Sequence, residues 1–436
     1  MNELAKELND IIEKNSDIFY SFLSDFGRNI YMPKGIISQT QEAKKHAHKF
    51  DATIGIAKEK GKPMYLNSIY KLFNHLTPEQ IFPYASPYGV PALREMWRDK
   101  IISENPSLGN NKESISMPIT TQAITNGLML AGDLFVDEDD EIIMPDKLWG
   151  NYRLIFEVRY EAKIRTFPFY NSSLTGFDVN ALDEIINKST KEKIILLLNF
   201  PNNPTGYTLK ESEANEIVKI VTRHAERGKK ILVISDDAYY GLFYEDGLIN
   251  GSIFSRFVKV HPNIASVKLD GFTKEYYVWG FRIGFITFGD YFQNKEVYKA
   301  LEHKTAGAIR CSISNCSNTK QYILLALKDD NEYIKEREEK FEILKNRALK
   351  VKEIVYDKKY QDYWKVYPFN SGYFMCLKLK DVDANELRLH ALHKHGVGAI
   401  SIGKTDLRVA FSCVDIEHLD ELFEIIAMSI KELKGN

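Results

Sequence analysis

The chain has 436 residues, 44% of them hydrophobic, enough to bury a large core and, at roughly 150 residues per domain, to form two or three domains. Lys and Arg number 58 against 60 Asp and Glu, a net charge of −2 that excludes the basic excess needed to hold nucleic acid or anionic lipid. There is no run of about 18 apolar residues, and the start, MNELAKELNDIIEKNSD, is polar and helical in pattern, so a cytoplasmic, non-membrane protein acting on small molecules is expected. The four cysteines, Cys311, Cys316, Cys376 and Cys413, contain no CxxC pair and read as buried reduced thiols. The ten histidines show neither HExxH nor a paired ligand spacing, and no metal site is expected.

A helical N-terminal arm is expected over residues 1–50. From about Ile115 to Ile286, short β-branched or apolar runs (EIIMP, KIILLLNF, KKILVIS, NIASVKL, RIGFITF) alternate with helical stretches such as Glu211–Arg227. That alternation predicts an α/β fold of β-α-β units with a mainly parallel sheet flanked by helices. Asn331–Val355 carries Glu and Lys at helical spacing with apolar Ile334, Phe341, Ile343, Leu344 and Leu349, a helix with a solvated face. A strand in SGYFMCLKL, a helix around Ala384–His395, a strand around Leu407–Ser412 and a helix from Ile416 follow, predicting a smaller α+β domain. The expected division is a large domain over 76–310 and a small domain made of 51–75 with 311–436.

Three motifs fall just past predicted strands, where ligands bind in open α/β sheets. NFPNNPTGY (Asn199–Tyr207) has a Pro that stiffens a turn and a Gly that permits positive φ; alone it could be a plain loop. VISDDAYYGL (Val233–Leu242) delivers two acids and two tyrosines from a strand end, where a carboxylate is more often a helix cap or surface group. LDGFTKEYYVWGFRIGF (Leu269–Phe285) places Lys274 among aromatics and glycines, with Arg282 eight residues on. A lone lysine is ordinarily a solvated surface residue, but such surroundings lower its pKa toward nucleophilic use.

Together these blocks resemble the class I/II aminotransferases, pyridoxal-phosphate (PLP) enzymes of fold type I, over nearly the whole chain. The resemblance implies that 76–310 is the PLP-binding domain and that Lys274 carries the cofactor as a Schiff base, with Thr273 and Arg282 at its phosphate. It implies Asp236 at the pyridine nitrogen, with Tyr239 and Asn203 at the O3′ oxygen; Asp237 with Tyr240 also fits D-x-x-Y, but D-x-A-Y-x-G favours the first pair. KLWGNYRLIF resembles the block whose indole, here Trp149, stacks on the ring. PITTQAITNG stands at the phosphate turn, implying Thr121, Gln122 and Ala123 as phosphate contacts at a helix N-terminus. PYASPYGVPALREMW resembles the segment whose tyrosine, here Tyr84, reaches the neighbouring subunit's phosphate, implying a homodimer with shared active sites. Gly55 would lie near the substrate carboxylate, Arg408 in DLRVAFS would clamp it, and Arg310, with Ser314 and Asn315, would read a side-chain carboxylate in the neighbour's site.

The chain departs from the family where Gly271 replaces a phosphate-binding Ser, Gln122 a Gly, and Tyr152 a His that partners the pyridine Asp, and where Cys311 and Cys316 stand in place of the prolines usual around Arg310. The activity implied is ping-pong transamination between an amino acid and a 2-oxo acid, with glutamate and 2-oxoglutarate, or aspartate, as one pair. A PLP-dependent lyase or decarboxylase shares the early chemistry, and a PLP-binding regulator is the alternative from another class. Such regulators carry an extra basic module, which this chain lacks.

Overall fold

The computed structural model describes residues 1–15, 17–32 and 35–435. After a short strand β1 (Phe50–Asp51), seven strands join one sheet: β2 (Ile119–Thr121), β3 (Glu141–Pro145), β4 (Lys163–Phe167), β5 (Lys193–Asn199), β6 (Lys230–Asp236), β7 (Ile264–Gly271) and β8 (Gly284–Asp290). Their order is β2-β8-β7-β6-β5-β3-β4. Pairing is parallel from β4 through β7, while β8, the RIGFITF strand, runs antiparallel to both β7 and β2.

Side-chain alternation along β5 shows why helices cover both faces. Ile195 and Leu197 join the core that contains Leu128, Leu130 and Ala131. Ile194, Leu196 and Leu198 point the other way, onto Leu182, Ile186, Ile217 and Val221. An N-terminal helix α1 (Glu3–Asn15), α2 (Ile36–His46) and α3 (Pro91–Glu104) precede the sheet. The helices α4 (Ala123–Phe135), α5 (Val179–Lys188) and α6 (Glu211–Glu226) connect its strands, and α7 (Lys295–Ser312) follows the last. Because α7 runs to Ser312, the boundary expected between 310 and 311 falls inside a helix.

The long helix α8 (Asn331–Val355) spans the stretch read from its charge spacing. A second, antiparallel sheet follows, ordered β9 (Trp364–Val366), β10 (Met375–Leu379), β13 (Asp406–Val409), β12 (Ile400–Ile402). The helices α9 (Ala384–His395) and α10 (Leu419–Leu433) accompany it, and β11 (Val397–Gly398) pairs in parallel with β1. Two strand and helix ends differ from expectation: β13 stops at Val409 because Phe411–Cys413 turns into a 3-10 helix, and Ile416–His418 is likewise 3-10 before α10. Of the cysteines expected to be buried, Cys316 and Cys376 are, Cys413 is half-buried, and Cys311 is exposed near the solvated end of α7.

The two sheets meet at the NPTG loop. Gly206 has φ +71°, and a Cβ there would lie 1.9 Å from the Phe374 carbonyl. The Asn370 and Ser371 N–H groups both donate to its carbonyl at 2.9 Å. This glycine therefore provides a positive φ and a close backbone approach at once.

Candidate active site

The register of the parallel sheet builds the centre of the site. Asn199 ends β5, Asp236 ends β6, and the two are paired residues, so their side chains emerge together at the carboxyl edge of the sheet. Asn199 Nδ2 donates to the Asp236 carbonyl at 2.8 Å, and its Oδ1 accepts from the Asn203 N–H at 2.9 Å, tying the NPTG loop to the strand end. Asp236 is buried, its Oδ2 accepting from the Tyr152 hydroxyl at 2.6 Å and its Oδ1 from the Ala238 N–H at 3.0 Å. Burial pushes its carboxyl up to about 6, against the two hydrogen bonds, which favour the charged form. The sequence departure at Tyr152 thus keeps a hydrogen bond to this acid.

Lys274 lies in the turn after β7, its Nζ 3.2 Å from the Gly55 carbonyl and 5.2 Å from the centre of the Tyr239 ring. Burial lowers its ammonium to about 7, and the nearby Arg282 and Arg408 charges push the same way while Asp236 opposes them. At neutral pH a large share of this amine is unprotonated, as a nucleophile or proton acceptor requires. The neighbouring candidates behave differently. Lys268 is buried between Asp237 at 2.5 Å and Asp270 at 2.7 Å, and burial is outweighed by those two carboxylates, so its ammonium is held charged. That triad accounts for Asp237 as a counter-ion.

A cavity of about 420 Å³ opens at this edge. Its walls include ten expected residues: Gly55, Ala123, Trp149, Asn203, Asp236, Tyr239, Thr273, Lys274, Arg282 and Arg408. Thr121, Gln122, Tyr84 and Arg310 are not among its lining residues. The Thr121 hydroxyl donates to the Ala123 carbonyl at 3.0 Å, and Gln122 is exposed with its N–H on Asn126 Oδ1 at 3.1 Å. The helix start turns on Ala123, at φ +59°, and its next residues Ile124 and Thr125 face the cavity. Tyr84 is 91% exposed, and Arg310 is exposed at the end of α7, with its guanidinium on Ser314 Oγ at 2.7 Å.

Residues the sequence reading missed include Thr53, Ile54 and Phe374, together with Thr40, Gln41 and Lys44 of α2. Thr53 and Ile54 directly precede the expected Gly55, whereas no motif marks Phe374 or the α2 residues, which reach the cavity only through packing of distant segments. Gly271, where the family has Ser, has a steric cause: a Cβ there would lie 2.5 Å from Gly284 Cα in the neighbouring strand.

Arg408 is almost fully buried, donating to Asn203 Oδ1 at 3.1 Å and the Thr53 carbonyl at 2.7 Å, with its carbon 4.3 Å from the centre of the Phe374 ring. Its Nε has no partner, and among the described residues neither Arg408 nor Arg282 has a carboxylate in ion-pair reach. A buried guanidinium without an anion is costly unless a ligand supplies one. The cavity therefore offers Arg282 for one anion, Arg408 for another, an acid at the sheet edge and a neutral-tending lysine between, a donor set that fits PLP plus a carboxylate substrate. Elsewhere, the side-chain N and O atoms of His390, His395 and Glu432 lie within 4.8 Å of one another, with Lys394 also 2.8 Å from Glu432.

The family described as aminotransferase class I and II matches residues 55–426. The aspartate aminotransferase of Sulfurisphaera tokodaii is 24% identical over 336 residues, 76% of this chain and 78% of that one. The probable aspartate/prephenate aminotransferase of Aquifex aeolicus is 28% identical over 277 residues, 61% and 62% of the two chains. Among solved structures, an aminotransferase from Anaerococcus prevotii superposes with a TM-score of 0.80 at 26% identity, covering 91% of this chain and 96% of its own. Aspartate aminotransferase from Thermus thermophilus with maleate, at 18% identity, TM-score 0.71 and 91% and 97% coverage, shows the same fold. With a match across most of its length, the chain belongs to the class I and II aminotransferases and is a PLP-dependent transferase of amino groups.

Proposed function

We propose that the substrates of this aminotransferase include a dicarboxylate pair, glutamate with 2-oxoglutarate or aspartate with its 2-oxo acid, and that it works as a homodimer with shared active sites. The observation that carries the substrate reading is the charge of the cavity wall: three cations, Lys44, Arg282 and Arg408, beside the neutral-tending Lys274, against one acid, Asp236. With Arg282 assigned to the cofactor phosphate, cationic capacity remains for two carboxylates rather than one. The relatives named aspartate aminotransferase support the same class.

PLP supplies an aldehyde that condenses with amines and a ring that accepts the electron pair left when Cα loses its proton. This chain's residues take the following roles. Asp236, buried and held by Tyr152, would keep the ring nitrogen protonated. Lys274 would hold the cofactor, and its amine, tending to neutral, is the group that could carry the proton from Cα. Trp149 would cover the ring face, Asn203 and Tyr239 would serve its phenolic oxygen, and Thr273, Arg282 and the α4 start at Ala123 would take the phosphate, while Thr121 and Gln122, expected there, lie outside the cavity lining. Arg408 clamps the α-carboxylate beside Gly55. Tyr84 and Arg310, absent from this cavity's lining and exposed, are the residues a second subunit would receive. The experiment is a half-reaction screen: purified holoenzyme is mixed with each common amino acid, and loss of the cofactor's visible absorption band identifies donors. Glutamate or aspartate should convert the cofactor faster than alanine; conversion by neutral amino acids alone would refute the dicarboxylate reading.

A further inference from the structure

The helix α2 is fastened to the second sheet by one side and faces the cavity with the other. Gln39, Glu42, Ala43 and His46, spaced i, i+3, i+4 and i+7, form the fastened side. Gln39 makes a two-point bond to Ser401 in β12, its Nε2 to the carbonyl at 3.3 Å and its Oε1 from the N–H at 2.9 Å. Glu42 accepts from Arg388 of α9 at 2.7 Å, Ala43 is buried against Gly398, and the His46 ring sits 5.1 Å from that of His393. At 100° per residue, Thr40, Gln41 and Lys44 project from roughly the opposite side, and all three line the cavity.

This attachment fixes α2 relative to the substrate clamp. Ser401, which holds Gln39, is adjacent to Ile400, and Ile400 is the paired residue of Arg408 across β12 and β13. Lys44 therefore belongs to the same rigid unit as Arg408. Arg408 is buried, whereas Lys44 is exposed at the rim, and among the described residues no carboxylate lies in ion-pair reach of Lys44.

Resting on the dicarboxylate reading above, we propose that Lys44 is a specificity-determining residue that pairs with the substrate's side-chain carboxylate from within the same subunit. A substrate held at its α-carboxylate by Arg408 and at its amino group near Lys274 then extends its side chain along the α2 wall toward Lys44. Thr40 and Gln41, on the same face, supply hydrogen-bonding groups beside it. A flexible ammonium at a solvated rim discriminates by charge more than by shape, so it accepts both aspartate and glutamate side chains.

The test compares kcat/KM for glutamate with kcat/KM for alanine in the holoenzyme, for wild type, Lys44→Met, Lys44→Arg and Lys44→Glu. The glutamate-to-alanine ratio should fall roughly five- to tenfold in Lys44→Met, mainly through KM, persist in Lys44→Arg and fall further in Lys44→Glu. Added salt should lower the wild-type ratio, because an exposed pair is screened, and should leave the Lys44→Met ratio nearly flat. An unchanged ratio in Lys44→Met overturns the assignment. If Arg310→Ala alone abolishes the preference, the dicarboxylate reading stands and only Lys44 is wrong. A wild-type enzyme with no dicarboxylate turnover overturns both.

Discussion

At the scale of single residues, two buried acids one position apart have opposite surroundings, and their variants should fail differently. Asp236 faces the cavity, so Asp236→Asn should slow turnover by roughly two or more orders of magnitude with little change in Tm, if it is, as proposed, the group that keeps the ring nitrogen protonated. Asp237 instead neutralises buried Lys268, so Asp237→Asn should lower Tm markedly through an under-compensated buried charge while the folded fraction keeps its turnover. Kinetics and thermal melts of the pair check this, and a reversed pattern would mean the functional acid is Asp237. Lys274 yields a pH prediction. Burial and two arginines lower its ammonium from the ordinary lysine range to about 7. In the cofactor-free protein, acylation of Lys274 by an amine-directed reagent should therefore rise with pH through about 7, where a solvated lysine would rise near about 10. Arg408→Gln removes one repelling cation and should move that midpoint upward; peptide mapping across pH measures both. Lys274→Ala should abolish turnover and borohydride fixation of the cofactor to the chain.

At the scale of elements, the site depends on two backbone approaches that only glycine permits. A Cβ on Gly206 would lie 1.9 Å from the Phe374 carbonyl, at the contact between the NPTG loop and the second sheet. Gly206→Ala should cost about 3 kcal/mol, combining overpacking with strain at positive φ. Gly228, also at positive φ but with nothing within 4 Å of its would-be Cβ, is the control, and Gly228→Ala should cost about 1 kcal/mol from strain alone. Denaturant titration of both variants separates the two contributions; equal losses would show that the approach at Gly206 relaxes freely. Gly271 carries the same lesson between β7 and β8: the family's Ser cannot be restored without moving Gly284.

At the scale of the whole molecule, the exposure of Tyr84 and Arg310 leads to a complementation test. If each site takes these residues from the other subunit, mixed dimers of Lys274→Ala with Tyr84→Ala contain one site with both native residues. Co-expression should then restore dicarboxylate turnover well above the sum of the two parents, whereas sites built from one chain alone would give only that sum. No helix among the described residues is long and apolar enough to cross a membrane.

The parallel sheet, its β-α-β rhythm, and the helices at 331–355 and 384–395 were legible in the chain because hydrophobic alternation and charge spacing are local properties. The order of the three blocks around Asn203, Asp236 and Lys274 was legible for a related reason: each follows its strand directly, so strand ends bring them together. What remained hidden depended on contacts between distant segments. Nothing near Lys44 in the sequence signals a cavity, since it gets there through Gln39 and Glu42 fastening α2 to residues more than 300 positions away. The antiparallel turn of β8, the Tyr152 bond to Asp236, and the separation of Asp236 from the Lys268–Asp237–Asp270 cluster were likewise decided by packing. A side chain's type and local spacing define the chemistry it can do, but its burial, its charge partners and the site it faces come from the tertiary fold.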